Sequence, residues 1–108
     1  MGNTNTSFQL FYNHFVYITT NEHRTTLYVG VTNHIQRRLS QHYFDSQNSK
    51  KSFAGKYNYI YLVYYEGFEN PKDAIAREKE IKKWRREKKN SLVSSFNPKW
   101  ESLNNQIV

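Results

Sequence analysis

Two tyrosines, each inside a short β-rich run, constrain this chain more than any other feature. Tyr17 lies in Phe15-Val16-Tyr17-Ile18 and Tyr28 in Leu27-Tyr28-Val29-Gly30. Phe11 to Thr19 and Leu27 to Val31 are aromatic and β-branched, and polar Asn21 to Thr25 separates them, so the two runs read as strands joined by a turn. Side chains alternate along a strand. Val16 and Ile18 therefore share one face, as do Leu27 and Val29. Pairing those aliphatic faces puts both phenols on the opposite face of the sheet.

The rest of the chain supplies other chemistry. Thr32 or Asn33 can cap a helix that runs to about Tyr43, with Ile35, Leu39 and His42 on one stripe. Arg38 shares that stripe, and an arginine facing inward normally has a partner or a ligand. Asp45 to Gly55 reads as a polar loop and Tyr57 to Glu66 as a third strand buried on both faces. Asn70-Pro71 has the cap-then-proline pattern of a helix start. That helix runs through Trp84, with Ala74, Ile75, Glu78, Ile81 and Trp84 or Lys82 facing inward. A shorter helix follows, carrying Leu92, Val93 and Phe96, and Asn97-Pro98 stops it. Trp100 and Leu103 are expected to pack back as an anchor. The coarse order is β-β-α-β-α-α, an α+β chain with no internal repeats. Residues 1–10 read as a flexible lead-in, 11–103 as a single domain and 104–108 as a tail.

At 108 residues there is room for one core only. Aromatics make up 17% of the chain, so rings must supply much of that core. The absence of cysteine excludes disulfides, a thiolate nucleophile and a zinc–cysteine site. No apolar run is long enough to span a membrane and no signal peptide is visible, which makes the cytoplasm the expected compartment. The start of the chain matches the myristoylation pattern, and Asn5-Thr6-Ser7 the glycosylation pattern, as chance matches in a polar stretch.

The formal charge is +7, and Lys72 to Lys89 concentrates nine basic residues against four acidic ones. A concentrated basic face suits a polyanion, most plausibly nucleic acid, although a solvated helix face would look the same. Lys82, Lys83, Arg85, Arg86, Lys88 and Lys89 are the candidate contacts.

Taken together, Phe15-Val16-Tyr17, Tyr28-Val29-Gly30, Arg38, His42 and Glu78 resemble the GIY-YIG nucleases, in particular their small stand-alone members. The first triplet is a loose match, with Phe for Gly and Val for Ile; the second differs only in Val for Ile. The resemblance runs from about Phe15 to Trp100. Its more specific stretches are Gly30-Val31-Thr32-Asn33 leading to Arg37-Arg38-Leu39 and His42, and Ala74-Ile75-Ala76-Arg77-Glu78-Lys79 leading to Lys82-Lys83-Trp84. It implies a small three-stranded antiparallel sheet flanked by helices. It also implies a metal-dependent endonuclease acting on DNA, branched or non-specific, with one divalent ion, Mg²⁺ or Mn²⁺.

Phosphodiester hydrolysis needs a deprotonated water, a neutralised phosphate, a stabilised leaving group and in-line geometry. Glu78 is the candidate ligand of the single metal, since magnesium commonly takes one or two carboxylates and keeps water in its other positions. Its alternative is a structural ion pair, for instance with Arg38. Arg38 offers a fork of donors to phosphate oxygens. The resemblance places Tyr17 and Tyr28 in the site, one activating the nucleophile and the other orienting water or phosphate, without deciding which. Nearby cations would lower a phenol's pKa. The resemblance gives His42 a phosphate contact or a share of the proton work; its alternative is a helix-end histidine stacked on the core. Asn97 resembles a late asparagine near the site in some relatives, or is simply a helix stop. Gly30 leaves room at the strand end. Many excision-repair relatives carry lysine after that glycine; here it is Val31, with Lys56 or Lys79 as candidate replacements.

His14, His23, His34 and His42 lack metal-ligand spacing, and there is no glycine-rich phosphate loop. The rival reading is a catalytically inactive basic nucleic-acid binding module on the same fold; a protein-interaction domain is third, because it leaves Arg38 and Glu78 unexplained. Larger relatives carry a separate DNA-targeting domain, so sequence specificity here would require an unknown protein partner.

Overall fold

The computed structural model describes residues 12–48 and 61–106. Strand β1 (His14–Thr20) is central, with β2 (Leu27–Thr32) on one side and β3 (Tyr61–Phe68) on the other, both antiparallel. Helix α1 (Ile35–Asn48) follows β2; α2 (Pro71–Lys82) and α3 (Arg86–Phe96) follow β3, and a short 3₁₀ turn covers Asn104–Gln106. The expected α+β order and antiparallel three-stranded sheet are both present.

The strand buried on both faces is β1, not β3 as the density of apolar residues suggested. Every residue from Phe15 to Thr20 is sealed from solvent, because β1 has a strand on each side and helices over each face. β3 is an edge strand, and only Leu62, Val63 and Tyr64 in it are buried. It begins at Tyr61 and runs on to Phe68; the expected residues 57–60 lie outside the described part of the chain.

Alternation along β1 separates two apolar layers. Val16 and Ile18 pack with Val29, Val63, Ala74, Ile81 and Val93 beneath α2 and α3. Phe15 and Tyr17 pack with Ile35, Leu62 and Leu103 on the α1 side, where Tyr28 and Leu39 join them. The two tyrosines therefore share the face opposite the aliphatic pairs, as the hairpin pattern required. A register shift between Ile18 and Thr19 makes a bulge in β3. It turns Val63 and Tyr64 toward the same layer although they are consecutive.

Local chemistry sets the element ends. In the β1–β2 turn the Asn21 Oδ1 accepts from the Thr25 and Thr26 amides, at 2.8 and 3.2 Å. Arg24 there has φ of 57°; its guanidinium donates to the Trp100 carbonyl, tying the turn to the C-terminal segment. Helix α1 is capped by His34, whose Nδ1 accepts from the Arg37 amide at 3.1 Å, rather than by Thr32 or Asn33. Thr32 shapes the preceding turn by accepting from the His34 amide. The helix continues to Asn48, past the expected end at Tyr43. Asn70 and Pro71 open α2 as expected, with the Asn70 Oδ1 accepting from the Asp73 amide at 2.9 Å. α2 ends at Lys82, so Trp84 lies beyond it. Ile75, expected to face inward, is exposed, while Ala74 and Ile81 are fully buried.

Trp100 and Leu103 do pack back onto the two layers. The Leu103 amide donates to the Leu62 carbonyl at 2.7 Å, and Asn104 Oδ1 accepts from the Leu62 amide at 2.8 Å. Among the described residues no helix is long and apolar enough to cross a membrane.

Candidate active site

The α1 face of the sheet brings four of the sequence-derived residues into one hydrogen-bonded group. Arg38 reaches down from α1: its Nε donates to the Tyr17 hydroxyl at 3.0 Å and its Nη2 to the Tyr28 hydroxyl at 3.3 Å. His42, one turn along the same helix, places Nε2 3.1 Å from the Tyr17 hydroxyl. His42 meets both tyrosine rings edge-on, with centroids 5.9 Å from Tyr17 and 5.2 Å from Tyr28, while the two tyrosine rings are tilted by 33° at 6.2 Å.

Donor counting fixes the arginine bonds in this group. Arginine only donates, so the Tyr17 oxygen accepts from Arg38. The Tyr17–His42 bond runs in the direction set by the imidazole tautomer: the phenol donates to a bare Nε2 and accepts from a protonated one. Burial pushes the Tyr17 phenol up to about 12, more than Arg38 pulls it down. The expectation that cations would lower a tyrosine pKa thus fails at Tyr17, because desolvation of a fully buried phenolate outweighs one guanidinium. Burial also works against the Arg38 charge, but its bonds to the two phenols prevail and hold its pKa above the ordinary arginine value.

Gly30 explains how the Tyr17 ring fits. It is the cross-strand partner of Tyr17. A Cβ built on Gly30 would sit 2.5 Å from the Tyr17 oxygen and 2.6 Å from its Cζ. The glycine is there for clearance under the ring, since its φ is not positive. Gly30→Ala is expected to push the ring aside and cost about 1–3 kcal/mol of stability, the usual range for overpacking a core. Denaturant unfolding of the purified variant measures this; unchanged stability would mean the ring is free to move.

Arg38 also lines a cavity of ≈ 450 Å³ at the β2 edge, where the α1 layer meets the α2 layer. Thr32, Asn33 and His14 contribute polar wall, and Pro71 and Ile75 apolar wall. A second hollow of ≈ 220 Å³ is lined by Thr32, Arg37, Arg38 and Gln41. Histidine spacing singled out none of this: His14 and Thr32 reach the cavity through their place at the strand ends.

Glu78 lies on α2, whereas the phenols lie on β1 and β2. It follows Pro71 and Ile75 at helical spacing, so it lies along α2 from the cavity wall. Its side chain is 13% exposed and its carboxylate pairs with Lys82 at 2.5 Å. The ion pair with Arg38 that the sequence left open is therefore not formed; Arg38 is held by the phenols instead. Among the described residues no group of three or more His, Cys, Asp or Glu could hold a metal.

The basic stretch divides. Arg86 donates to the Thr25 and Arg24 carbonyls at 2.9 and 3.3 Å and locks the β1–β2 turn. The Lys88 ammonium sits 4.3 Å from the Trp84 ring centroid. Lys83 and Arg85 are exposed, as is Lys79, while Lys89 is half-buried. Asn97 is a structural joint: its Nδ2 donates to the Val63 and Glu101 carbonyls and its Oδ1 accepts from the Glu101 amide. Lys56 lies outside the described residues.

Comparison with known proteins bears on the family and the fold. Residues 13–90 match the family model of the GIY-YIG catalytic domain. The chain belongs to the GIY-YIG family. It is 37% identical over 82 residues to a UPF0213 protein of Clostridium perfringens, covering 76% of this chain and 85% of that one. It is 36% identical over 81 residues to a UPF0213 protein of Natronomonas pharaonis, covering 75% of this chain and 91% of that one. A UPF0213 protein of Bacillus halodurans, solved by NMR, superposes with a TM-score of 0.52 at 29% identity, over 85% of this chain and 92% of that one. The chain is thus similar to small stand-alone members of a nuclease family that generally uses a divalent metal.

Proposed function

We propose that this GIY-YIG domain is an endonuclease that hydrolyses DNA phosphodiesters with one divalent metal, Mg²⁺ or Mn²⁺. The observation that carries the reading is the convergence of Arg38 on both tyrosine hydroxyls. Among the described residues the guanidinium pairs with no carboxylate, so its positive charge is not neutralised, and it lines a cavity in which a phosphate could meet it.

The burial pattern supports a division of labour between the tyrosines. Tyr17 is fully enclosed and protonated at neutral pH, so it orients Arg38 and exchanges its proton with His42. Tyr28, only partly buried, is the phenol that can reach water or phosphate. His42 is 1% exposed, so it acts through Tyr17 and not by touching phosphate.

Glu78 fits a magnesium-type site of one carboxylate: hard oxygen ligand, partly open to solvent, and paired with a lysine that can swing away. Such an ion, when bound, supplies charge stabilisation at the phosphate and leaving oxygen.

Incubating the protein with plasmid, flap and branched DNA, with Mg²⁺ or Mn²⁺ and with chelator, tests the reading. Metal-dependent nicking is expected, without strong sequence preference unless a targeting partner is added. Tyr28→Phe is expected to lower cleavage by about 10²-fold, the size of one acid–base or positioning contribution. Tyr17→Phe should act comparably, by loosening Arg38. Full activity in both variants would remove the tyrosines from the mechanism.

The Glu78–Lys82 pair favours one second reading, a binding module without catalysis. That module would bind DNA with the same affinity in chelator and cut nothing. Under either reading the solvent-facing cations of the basic stretch meet phosphate. Neutralising Lys83 and Arg85 together is expected to reduce the salt slope of DNA binding by roughly 0.9 per lost contact. An unchanged slope would place DNA on another face.

A further inference from the structure

We propose that residues 97–106 form a positioning strap for the tyrosine–arginine group, with Leu103 as the residue that holds Tyr17 in place by packing. This deepens the reading above by adding a residue to the same site, and it rests on that reading only where cleavage is measured.

The strap lies past residue 90, where the match to the family model ends, yet it reaches the layer that contains the site. Trp100 packs on the aliphatic layer beneath α2 and α3. Three residues later, Leu103 is buried in the opposite layer with Phe15, Tyr17, Ile35 and Leu62. The chain therefore crosses the outer edge of β3 between them. At that edge it satisfies both backbone groups of Leu62: the Leu103 amide donates to the carbonyl, and Asn104 Oδ1 accepts from the amide. Tyr65 adds a further tie, its hydroxyl donating to Gln106 Oε1 at 2.9 Å.

The approach to this crossing is strained. Trp100 has φ of 55°, in the left-handed region that residues other than glycine rarely adopt. Such a conformation persists only where the surroundings over-determine it. Here the Trp100 carbonyl accepts from Arg24 Nε and Nη2, its amide donates to the Asn97 carbonyl, and its indole N–H donates to Ser94 Oγ. The corner directs the chain from one face of the sheet to the other.

The layer it reaches is thin. Among the described residues it has five buried members, against eight on the other face, so Leu103 is a large part of what excludes water there. The Tyr17 hydroxyl has to stay in register with Arg38 Nε at 3.0 Å and His42 Nε2 at 3.1 Å. A close-packed interior passes the loss of one side chain on to its neighbours. The burial that pushes the Tyr17 phenol up to about 12 depends on the same enclosure.

Ring flipping of Tyr17, followed by NMR on protein carrying labelled tyrosine and assigned with Tyr17→Phe, tests the strap without any reaction. Leu103→Ala is expected to speed the flip about tenfold, equivalent to about 1.4 kcal/mol off its barrier, and to move the His42 ring signals. Ile81→Ala is the control. It removes a comparable buried side chain from the other layer, and should lower the melting temperature similarly while leaving the Tyr17 flip unchanged. Asn104→Ala should act in the same direction as Leu103→Ala. Asn104→Asp keeps an acceptor for the Leu62 amide and should restore the wild-type flip; this pair decides the matter if Leu103→Ala does not fold. Equal flip rates in wild type and Leu103→Ala, or equal acceleration by Leu103→Ala and Ile81→Ala, overturns the strap. In cleavage assays Leu103→Ala should lose about tenfold more in kcat than Ile81→Ala, since small misplacements of reacting groups are expensive. A wild type that cuts nothing, with the flip still responding to Leu103→Ala alone, would overturn the nuclease reading and leave the strap standing.

Discussion

Arg38→Ala is expected to lower DNA cleavage by about 10²–10³-fold, the loss seen when one preorganised charge or donor is removed from a developing oxyanion. Binding should fall less, by about tenfold, because other cations still meet the backbone. The fold should tolerate the change. Tyr17 keeps His42 at 3.1 Å, and the loss of its bond from Arg38 costs about 1 kcal/mol. The informative companion is Arg38→Lys. Lysine is a compact point charge without the planar fork that lets Nε meet Tyr17 while Nη2 meets Tyr28. If positioning matters, lysine restores binding and leaves cleavage near the alanine level. Recovery of cleavage by lysine would reduce Arg38 to a charge, and wild-type rates in Arg38→Ala would remove it from the site. Steady-state cleavage of nicked and branched substrates, beside filter or anisotropy binding, separates these outcomes.

How far the sequence foretold this site depends on the range of each interaction. Alternation in β1 and β2 placed Tyr17 and Tyr28 on one face because that face follows from a period of two. Arg38 and His42 were legible because four residues make one turn of α1. The Asn70-Pro71 start of α2 was legible as cap chemistry. What failed depended on neighbours distant in sequence. β3 looked fully buried because its residues are apolar, yet strand order makes it an edge. Ile75 looked like core because its spacing fits a stripe, yet α2 is rotated so that Ala74 and Ile81 take that role and Ile75 borders the cavity. The bulge at Val63, the clearance of Gly30 under the Tyr17 ring and the rise in the Tyr17 pKa all require knowing which strand lies opposite which. Arg86 and Asn97 show the converse. Both looked like candidates for a ligand, and both are occupied by backbone carbonyls of other segments.

The pairing of Glu78 with Lys82 provides the sharpest test of the metal. Glu78→Gln keeps the shape and removes the charge. The pair it breaks is a helix i,i+4 contact with a lysine side chain that is 51% exposed, and pairs of that kind are worth about 0.3–0.5 kcal/mol. Stability should therefore barely change, while Mn²⁺ binding and cleavage fall by about 10²-fold or more, because the metal's charge stabilisation is worth several kcal/mol. Lys82→Met separates a ligand from a structural partner. If Glu78 holds the metal, Lys82 competes for the same carboxylate. Its removal should then tighten Mn²⁺ binding a few-fold and lower the Mg²⁺ concentration needed for half-maximal cleavage. If Glu78 serves only the ion pair, the two substitutions should cost similar stability and neither should alter metal titration. Calorimetric Mn²⁺ titration and thermal unfolding of the wild type and both variants distinguish these outcomes. A wild type that binds no Mn²⁺ with DNA present would leave Glu78 as the anchor of a surface lysine and the domain as a DNA-binding module.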